Sequence, residues 1–518
     1  MKRPHYWILL FVLVVSIGAT LPWLWRTSLV SNMVVINNTS PTDNPPSIIL
    51  LEALAAGPLK VGATPPRPGL LGAFERHGKR LLKHPLFPWV GRWFMIGLLV
   101  VLAYSAFFGP RDPRLNFATV MSWVVWWPLL AISYLVIGRV WCAVCPMGAL
   151  ADIVHRKIGL NLKAPELFRK RWLVAVLLGI AILYQAWIEE VTRASVSPLI
   201  TGFILWSFTI GAVVSGLVFE RWTWCRHLCP LGAWSGVFAM SSVVEVRADP
   251  NVCLANRCKG IYCYFGRDDL PGCPFHQVPK IMETNRYCST CGNCLKACPN
   301  DAISIRLRPP GREFVTQKKE ALENALIAVV AIGVVAFQGL VMTEPWAAMR
   351  EWVATLPLLS NDAALYGVLI LACVGLAVGL FYLASQIYAR LTKQSCQAEM
   401  CRFGFAFLPL ALLTHIGHNL GHLFNGYALV PGALAGLIGQ LPQAVAEGTP
   451  NLWLWQVLEI GLVMIGLAIS VWAIRRICGA AKVNCPRPLA TAPYVILAGL
   501  YAAVFIVLFA LPMVTRIS

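Results

Sequence analysis

Charged residues are scarce in this chain of 518 residues. Only 13% of the residues are Asp, Glu, Lys or Arg, and 58% are hydrophobic, whereas soluble globular proteins carry about 25% charged residues. This scarcity of charge excludes a soluble enzyme, a fibrous protein and a disordered chain. A glycine-rich nucleotide-binding loop after a strand is also missing from the sequence, so we assign no catalytic residue and expect no substrate turnover within the chain.

Acidic residues are scarcer than basic ones, with 24 Asp and Glu against 43 Lys and Arg, a net charge of +19. Of the basic residues, 35 lie in five segments, and the connections that alternate with these segments hold only four. The basic segments are 60–92, 138–172, 220–321, 386–403 and 475–491. This distribution is the positive-inside bias of membrane proteins, so the charge reports topology rather than a nucleic-acid partner. It predicts that the five segments face the cytoplasm of a bacterial inner membrane.

Ten apolar stretches are long enough to cross the hydrocarbon core of a bilayer. They are 7–25, 93–109, 117–137, 172–188, 199–219, 323–342, 363–385, 404–425, 452–474 and 492–513. We interpret the first as an uncleaved span rather than a signal peptide. The shorter run 47–57 predicts an interfacial or re-entrant helix. The sequence therefore predicts an all-α polytopic membrane protein with about ten transmembrane helices, in contact with the lipid bilayer.

Seventeen cysteines are present, and most lie in or beside the basic segments. Because a reducing cytoplasm disfavours disulfides, clustered cysteines there indicate metal ligation or redox chemistry. Residues 288–299 read C-x2-C-x2-C-x3-C-P, the bacterial ferredoxin spacing, in which three thiolates bind one cubane and the fourth reaches the other. A looser C-x4-C-x4-C-x9-C-P set occupies 253–274. We therefore predict two [4Fe-4S] clusters, one bound by Cys273, Cys288, Cys291 and Cys294 and the other by Cys253, Cys258, Cys263 and Cys298.

These motifs divide the chain into four regions. Residues 1–92 hold the first span and a polar, partly amphipathic segment, and 93–242 form a four-span core with two Cys-Pro repeats. Residues 243–321 form an inserted small α+β ferredoxin domain of the bacterial 2[4Fe-4S] type. Residues 322–518 add a five-span C-terminal membrane domain.

The two Cys-Pro repeats have the pattern Trp-Cys-x2–3-Cys-Pro-x-Gly-Ala, with Cys142 and Cys145 in the first and Cys225 and Cys229 in the second. Each pair is expected to open a helix, whose N-terminus favours the thiolate. Three interpretations remain open. The pairs could relay electrons as reversible disulfides, they could jointly hold one metal or cluster, or they could simply pack.

Together these motifs resemble the NapH/NosR-type membrane polyferredoxins over roughly 90–310, and 39–59 also resembles the start of NapH-type chains. The resemblance implies a quinol-dehydrogenase component that passes electrons towards periplasmic reductases or maintains them. Two features depart from it. No outside segment is long enough for the flavin domain of NosR-type proteins, and the spans of 322–518 are absent from short family members.

The span 404–425 carries His415, His418 and His422 on one helical stripe. Ionisable residues inside a membrane are costly and indicate function. A quinone site, a proton relay, a haem b site and simple hydrogen-bonded packing all remain open. Haem would need a second copy of the chain or a ligand such as Met464, since no other histidine lies in a predicted span.

We therefore predict a membrane-bound iron–sulfur protein that relays electrons between the quinone pool, or a cytoplasmic donor, and a redox partner protein. It would be the electron-transfer component of a quinol-linked oxidoreductase system. The alternative is a maturation factor, a membrane reductase that serves a metalloenzyme and uses the Cys-Pro pairs as working dithiols.

Overall fold

The computed structural model of the protein describes residues 69–256, 258–268, 270–316, 322–357, 359–440, 452–480 and 491–513. All of them belong to the unit Val61–Ser518. The predicted first span 7–25, the short run 47–57 and the segment 39–59 lie outside the described residues.

Nine helices in the described residues are long and apolar enough to cross a membrane. They are Trp89–Phe108, Phe117–Val136, Ala175–Thr192, Pro198–Val218, Leu322–Val341, Asp362–Thr392, Cys396–Gly426, Trp453–Gly479 and Ala492–Ala510. Each corresponds to one of the predicted spans, so the polytopic all-α fold is confirmed. The agreement is good because an apolar segment in a bilayer finds no water to pair with its backbone N–H and C=O groups. An α-helix pairs all of these groups within the segment itself.

Several spans extend beyond their predicted ends. The helix Asp362–Thr392 continues past the predicted end at 385 and stops at Lys393, whose φ of 55° is left-handed. Arg193, with a φ of 50°, ends the helix Arg171–Thr192 in the same way. Hydropathy falls where polar side chains begin, but a helix continues until its backbone is broken. The predicted bounds are therefore too short at these polar ends.

Shorter helices connect the spans and build the polar block. In chain order, they are Gly69–Lys83, Val140–Val144, Pro146–Ile158, Glu166–Arg169, Pro230–Phe238, Pro250–Ala255, Ile261–Phe265, Asn293–Ala297, Arg312–Thr316, Glu344–Val353 and Leu429–Leu437. Two segments, Val120–Trp126 and Trp224–Leu228, are π-helical. We call Pro146–Ile158 the first Cys-Pro helix, Pro230–Phe238 the second Cys-Pro helix, and Leu408–Gly426 the His helix.

The polar block contains two small antiparallel sheets. Strand β1 (Val244–Ala248) pairs with β4 (Ile303–Leu307), with Val244 opposite Leu307, and β2 (Gly266–Arg267) pairs with β3 (Leu270–Pro271). Alternate residues of β1 and β4 are buried, as expected for strands with one face on a core. The predicted small α+β insertion is therefore present.

The helix Gly69–Lys83 packs on this block, although the sequence division placed it in the N-terminal region. Leu82 is buried in the core of the block, and Lys79 and Lys83 form ion pairs with Asp301. Gly292 lies so close to this helix that an added Cβ would stand 2.4 Å from the Leu82 carbonyl oxygen. The local sequence of 69–83 is amphipathic, but its partner is more than 200 residues away in the chain.

A buried ion pair attaches the polar block to the end of the second Cys-Pro helix. Arg308 pairs with Glu313, and its Nε and Nη2 donate hydrogen bonds to the carbonyls of Ser242 at 2.8 Å and Met240 at 2.9 Å. Glu313 also accepts a hydrogen bond from the Asn285 amide at 2.6 Å. These contacts hold the block against the segment that follows the second Cys-Pro helix.

The five C-terminal spans pack against the Cys-Pro core in one continuous apolar core. The His helix lies at its centre, and Leu410, Ala411 and Leu412 are fully buried. It packs against Trp453–Gly479, Leu322–Val341 and Trp127–Val136. The C-terminal region is therefore structurally joined to the helices that carry the cysteine pairs.

Close packing at Gly216 gives a first testable prediction. An added Cβ at Gly216 would stand 2.5 Å from the Ala151 carbonyl oxygen of the first Cys-Pro helix. Because small residues let membrane helices approach closely, we expect Gly216→Ala to separate these helices and destabilise the protein by about 1–3 kcal/mol. Thermal inactivation in detergent, followed by size-exclusion chromatography, measures this. Gly97→Ala is the matched control, since no atom lies within 4 Å of its added Cβ. Equal losses for both variants would contradict the prediction.

Candidate iron–sulfur centres

The first group of cysteines, Cys273, Cys288, Cys291 and Cys294, lines one small cavity. Left-handed φ angles at Thr290 (54°) and Gly292 (76°) curl the loop so that its thiols converge. Burial first, and then the nearby thiols, raise the pKa of Cys273 to about 12 and that of Cys294 well above its usual value. The structure therefore brings together the first predicted ligand set, which we call set A.

The second group consists of Cys253, Cys258, Cys263 and Cys298. Burial raises the pKa of Cys263 to about 11, and the thiols of Cys258, Cys298 and Cys253 contribute to the shift. The Cys258 amide donates to the Cys253 carbonyl at 2.8 Å. The stretched spacing is taken up by two one-turn helices, Pro250–Ala255 and Ile261–Phe265, without separating the thiols. The structure thus brings together the second predicted set, set B.

One short helix links sets A and B. Cys294 lies within Asn293–Ala297, and Cys298 caps its C-terminus. The pKa of Cys294 is raised first by burial and then by the thiols of Cys291, Cys288 and Cys273, with Cys263 of set B next. The pKa of Cys253, in contrast, is raised first by burial and then by the thiols of Cys258 and Cys298. Cys294 therefore lies with set A, and Cys298, one helical turn later, lies with set B. This crossing, in which the last cysteine of one motif joins the cysteines of the other, is expected of two-cluster ferredoxins.

The third group contains the four Cys-Pro cysteines, Cys142, Cys145, Cys225 and Cys229, which we call set C. Cys145 and Cys229 are the N-caps of the two Cys-Pro helices, and Cys225 lies in the π-helical turn Trp224–Leu228. Burial first, then the Cys229 thiol of the same repeat, and then Cys145 and Cys142 of the first repeat raise the pKa of Cys225 well above its usual value. The structure therefore brings the two repeats together at one place.

The expectation that the helix N-termini favour thiolates is wrong for the two helix-capping thiols of set C. Burial raises the pKa of Cys145 to about 11 and that of Cys229 to about 12. The Gly232 amide does donate to the Cys229 Sγ at 3.2 Å. One such hydrogen bond is outweighed by desolvation, because a buried charge loses far more hydration than it regains from a helix terminus.

Two glycines at the same position of the repeats make this convergence possible. An added Cβ at Gly148 would stand 3.4 Å from the Cys225 Sγ, and one at Gly232 would stand 3.4 Å from the Cys229 Cβ and 3.3 Å from Arg139 Nη2. Each glycine leaves room at the thiols that a larger residue would occupy. The sequence shows the repeated Cys-Pro-x-Gly-Ala, and that repetition is the signal that could have identified them.

Arg139 is a site residue that sequence reasoning missed. Its side chain is buried beside set C, with 3% of the residue exposed. Nη1 donates to the Arg286 carbonyl at 2.7 Å, and the guanidinium lies over the Phe275 ring at 4.6 Å. Although burial by itself lowers it, the neighbouring thiols, Cys142 first, raise the pKa of Arg139. A side-chain hydrogen bond with Cys142 contributes to this shift.

A cluster of charges supports the first Cys-Pro helix. Asp152 is 2% exposed and pairs with Arg92 at 3.3 Å, with Arg156 at 3.3 Å and with Arg221. Burial alone would raise the pKa of Asp152, but the hydrogen bond and charge of Arg221 and the charges of the other two arginines hold it below its usual value. Three arginines against one carboxylate leave a positive excess near set C.

The donor atoms of sets A and B are of the kind that binds a cubane. Among the residues that the structure describes, no three His, Cys, Asp or Glu side chains are close enough together to hold a single metal ion. Ligands of one ion all contact the same atom, whereas the four cysteines of a cubane each bind a different iron and so stand farther apart. Sets A and B each supply four cysteine thiols, which is the number and kind of donor that a [4Fe-4S] cubane takes.

The three histidines lie on the His helix as the sequence stripe predicts. His415 and His418 are buried. The His415 ring stacks on Phe238 with centroids 5.9 Å apart and lies edge-on to Trp234 at 5.6 Å. Both aromatic residues belong to the second Cys-Pro helix. The stripe is therefore in contact with the repeat that carries Cys225 and Cys229, a connection that the sequence did not reveal.

The other members of the stripe lie farther from that contact. The rings of His418 and His422 stand edge to face, 5.1 Å apart, and His422 is only partly buried. Met464, the alternative haem ligand, has 48% of its surface exposed. These positions favour the quinone or proton interpretation over a haem within one chain.

Comparison with known proteins addresses the family. The family described as "4Fe-4S binding domain" matches residues 119–182 and 200–243, which include both Cys-Pro pairs. Ferredoxin-type protein NapH of Escherichia coli (strain K12) is 31% identical over 193 residues, 35% of this chain and 66% of that protein. Methylamine utilization ferredoxin-type protein MauN of Paracoccus denitrificans (strain Pd 1222) is 30% identical over 235 residues, 42% of this chain and 71% of that protein. The chain belongs to the NapH-type membrane polyferredoxins.

As a NapH-type polyferredoxin, the chain is a multi-pass membrane protein that binds [4Fe-4S] clusters and transfers electrons. Such a protein requires a redox partner and the lipid bilayer. The chain spans about two thirds of the length of these relatives. No solved structure matches it. The family match ends at residue 243, before sets A and B.

Proposed function

We propose that this NapH-type polyferredoxin relays electrons, one at a time, between the membrane quinone pool or a cytoplasmic donor and a redox partner protein. Two [4Fe-4S] clusters, bound by sets A and B, would carry them on the cytoplasmic side of the bacterial inner membrane. When bound, a cubane takes up or releases one electron without making or breaking a covalent bond.

The observation that carries this proposal is the placement of Cys294 and Cys298 on one short helix between sets A and B. A single turn of helix keeps the sets adjacent, which suits electron transfer between them. Cys253, Cys263 and Cys291 are buried, and the other five cysteines of the two sets are partly buried. Enclosure excludes water and lowers the solvent reorganisation that accompanies each transfer.

The membrane end of the relay is proposed to lie at the His helix. His415 is enclosed by Trp234 and Phe238, so it serves packing and orientation. His422 is partly exposed and lies beside His418, and it is the member of the stripe that a lipid-soluble quinone can reach. An imidazole there could donate a hydrogen bond to a quinone carbonyl and accept the proton that a quinol releases.

Quinol-driven reduction of the clusters tests this function. In anaerobically purified protein, a short-chain quinol is expected to bleach the cluster absorbance at a measurable rate. Loss of the His422 hydrogen bond in His422→Phe should slow bleaching roughly tenfold, with unchanged iron content and unchanged bleaching by dithionite. His77→Phe, on the helix Gly69–Lys83, is the control. No bleaching of the wild type by any quinol would refute the quinone link, and a reduced haem band would reassign the stripe.

A further inference from the structure

We propose that the polar block docks its redox partner on an exposed apolar face over set B. This docking face consists of outward side chains of the two short helices that hold set B, and its residues are Leu254, Ile261, Tyr262 and Phe265. The occupant would be a soluble protein that carries a one-electron centre and surrounds its apolar contact with acidic side chains. The proposal deepens the relay proposed above, and it rests on that function for the presence of a cluster at set B.

The docking face is apolar, although the block that carries it is polar. Phe265 has 75% of its surface exposed and Leu254 has 62%, and Ile261 and Tyr262 are exposed as well. Ile261 and Phe265 are four residues apart, so they lie on one side of their helix. Apolar side chains that cluster on a polar surface mark a site of contact with another molecule.

The docking face also lies directly over the thiols of set B. Leu254 follows Cys253 in the chain. Ile261 stands two residues before Cys263, and Phe265 stands two residues after it. Both cysteines are buried beneath the exposed side chains, so a docked partner is separated from them by one helix, about 10 Å across.

This short separation suits the exchange of one electron, because the rate of electron transfer falls steeply with distance. The reduced centre of the partner would lose one electron and the cluster of set B would gain it. No covalent bond forms or breaks in this step, and no proton moves. The docking face therefore needs to supply only contact and orientation.

Set A contacts the membrane helices, which leaves set B as the end of the relay that is open to a partner. In the loop of set A, Thr290 Oγ1 donates a hydrogen bond to the carbonyl of Ile137 at 3.4 Å, where a membrane span ends. The helix Ile261–Phe265 instead packs inside the polar block, on Asn293–Ala297 and strand β2. The opposite, exposed side of this helix is therefore the one that an external protein can reach.

The charges around the docking face favour an acidic partner. Lys259 lies exposed between the two helices. Burial and the neighbouring thiols raise the pKa of Cys253, and the nearby charge of Lys280 opposes that rise. Residues 243–321 hold 12 Lys and Arg against 8 Asp and Glu. Such an excess attracts a partner of opposite charge and increases the rate of encounter.

Reduction by flavodoxin tests the docking face, because flavodoxin is a small acidic protein that donates one electron. Full-length protein in lipid nanodiscs is mixed anaerobically with reduced flavodoxin, and bleaching of the cluster absorbance is followed by stopped flow. Leu254→Glu/Phe265→Glu should raise the half-saturating flavodoxin concentration about tenfold, through lost apolar contact and added repulsion. Calorimetry with oxidised flavodoxin should show the same loss of affinity. Iron content and bleaching by dithionite should stay as in the wild type.

The matched control is Leu160→Glu/Leu162→Glu, which changes two exposed leucines outside the polar block and should leave the reaction with flavodoxin unchanged. A charge reversal covers the case in which the first double variant does not fold. Lys259→Glu should slow reduction by flavodoxin several-fold at low salt and much less at high salt. Lys157→Glu, at an exposed lysine outside the block, is its control.

Equal kinetics for the wild type and the docking-face variants would overturn the proposal, and so would a wild type that dithionite bleaches but flavodoxin does not. Reduction by flavodoxin in detergent but not in nanodiscs would mean that the bilayer covers the face. A changed oligomeric state of Leu254→Glu/Phe265→Glu would assign the face to a second copy of the chain. Either result would overturn the proposal. Failure of the relay itself is distinguishable, because without a cluster at set B the variant Cys298→Ser would keep the iron content of the wild type.

Discussion

Cys298→Ser is expected to remove the cluster of set B, although Cys298 belongs to the motif that begins at Cys288. Its thiol neighbours Cys253 and Cys263, and the loss of one of four ligands should cost about four irons per chain. Cys273→Ser should likewise remove the cluster of set A. Each single variant should also abolish electron transfer between a quinol and an artificial acceptor, because a relay in series fails with any one member.

Double variants separate this crossed assignment from a sequential one. Cys298→Ser/Cys253→Ser should lose no more iron than Cys298→Ser alone, since both residues serve set B. Cys298→Ser/Cys288→Ser should lose about eight irons, because the two residues serve different clusters. Iron and sulfide counting under anaerobic conditions measures both, with Cys373→Ser as the control. If Cys298→Ser/Cys288→Ser loses only about four irons, the four residues of 288–298 bind one cluster and the crossing is wrong.

The spans and the ferredoxin insertion could be predicted because each follows from local sequence. An apolar run of about 20 residues has few structural alternatives in a bilayer, and the run from Cys288 to Cys298 has a specific spacing. The same local logic misses features that depend on distant contacts. The amphipathic helix Gly69–Lys83 shows no sign of its partner, Asp301, because the two are far apart in the chain.

The surroundings of charged and ionisable side chains are the clearest example of what could not be predicted from the sequence. In the sequence, Arg139 is one of several basic residues in a predicted cytoplasmic segment, and it adds to the positive-inside bias like any other arginine. Only the fold shows that it is buried among thiols. The contact of His415 with Trp234 likewise joins residues 181 positions apart. The histidine stripe could therefore be predicted from its helical spacing, but the helix that packs against it could not.

Asp152→Asn is expected to destabilise the protein by about 3–5 kcal/mol, because it leaves buried positive charge without a partner. The cost arises mainly at Arg92, whose side chain is 5% exposed, whereas Arg156 and Arg221 can turn towards solvent. The substitution keeps the shape of the side chain, so lost packing contributes little. Unfolding in mixed detergent, followed by tryptophan fluorescence and iron release, measures the loss.

The control is Asp112→Asn, which breaks the more exposed pair with Arg114 and should cost at most about 1 kcal/mol. The pH dependence provides an independent check. Because the pKa of Asp152 is held below its usual value in the folded protein, its contribution is present above about pH 4 and is lost as the carboxylate protonates at lower pH. The difference between wild type and Asp152→Asn should therefore be full at pH 7 and shrink below about pH 4. A pH-independent difference would mean that the amide fails for steric reasons and that the three arginines do not depend on this charge.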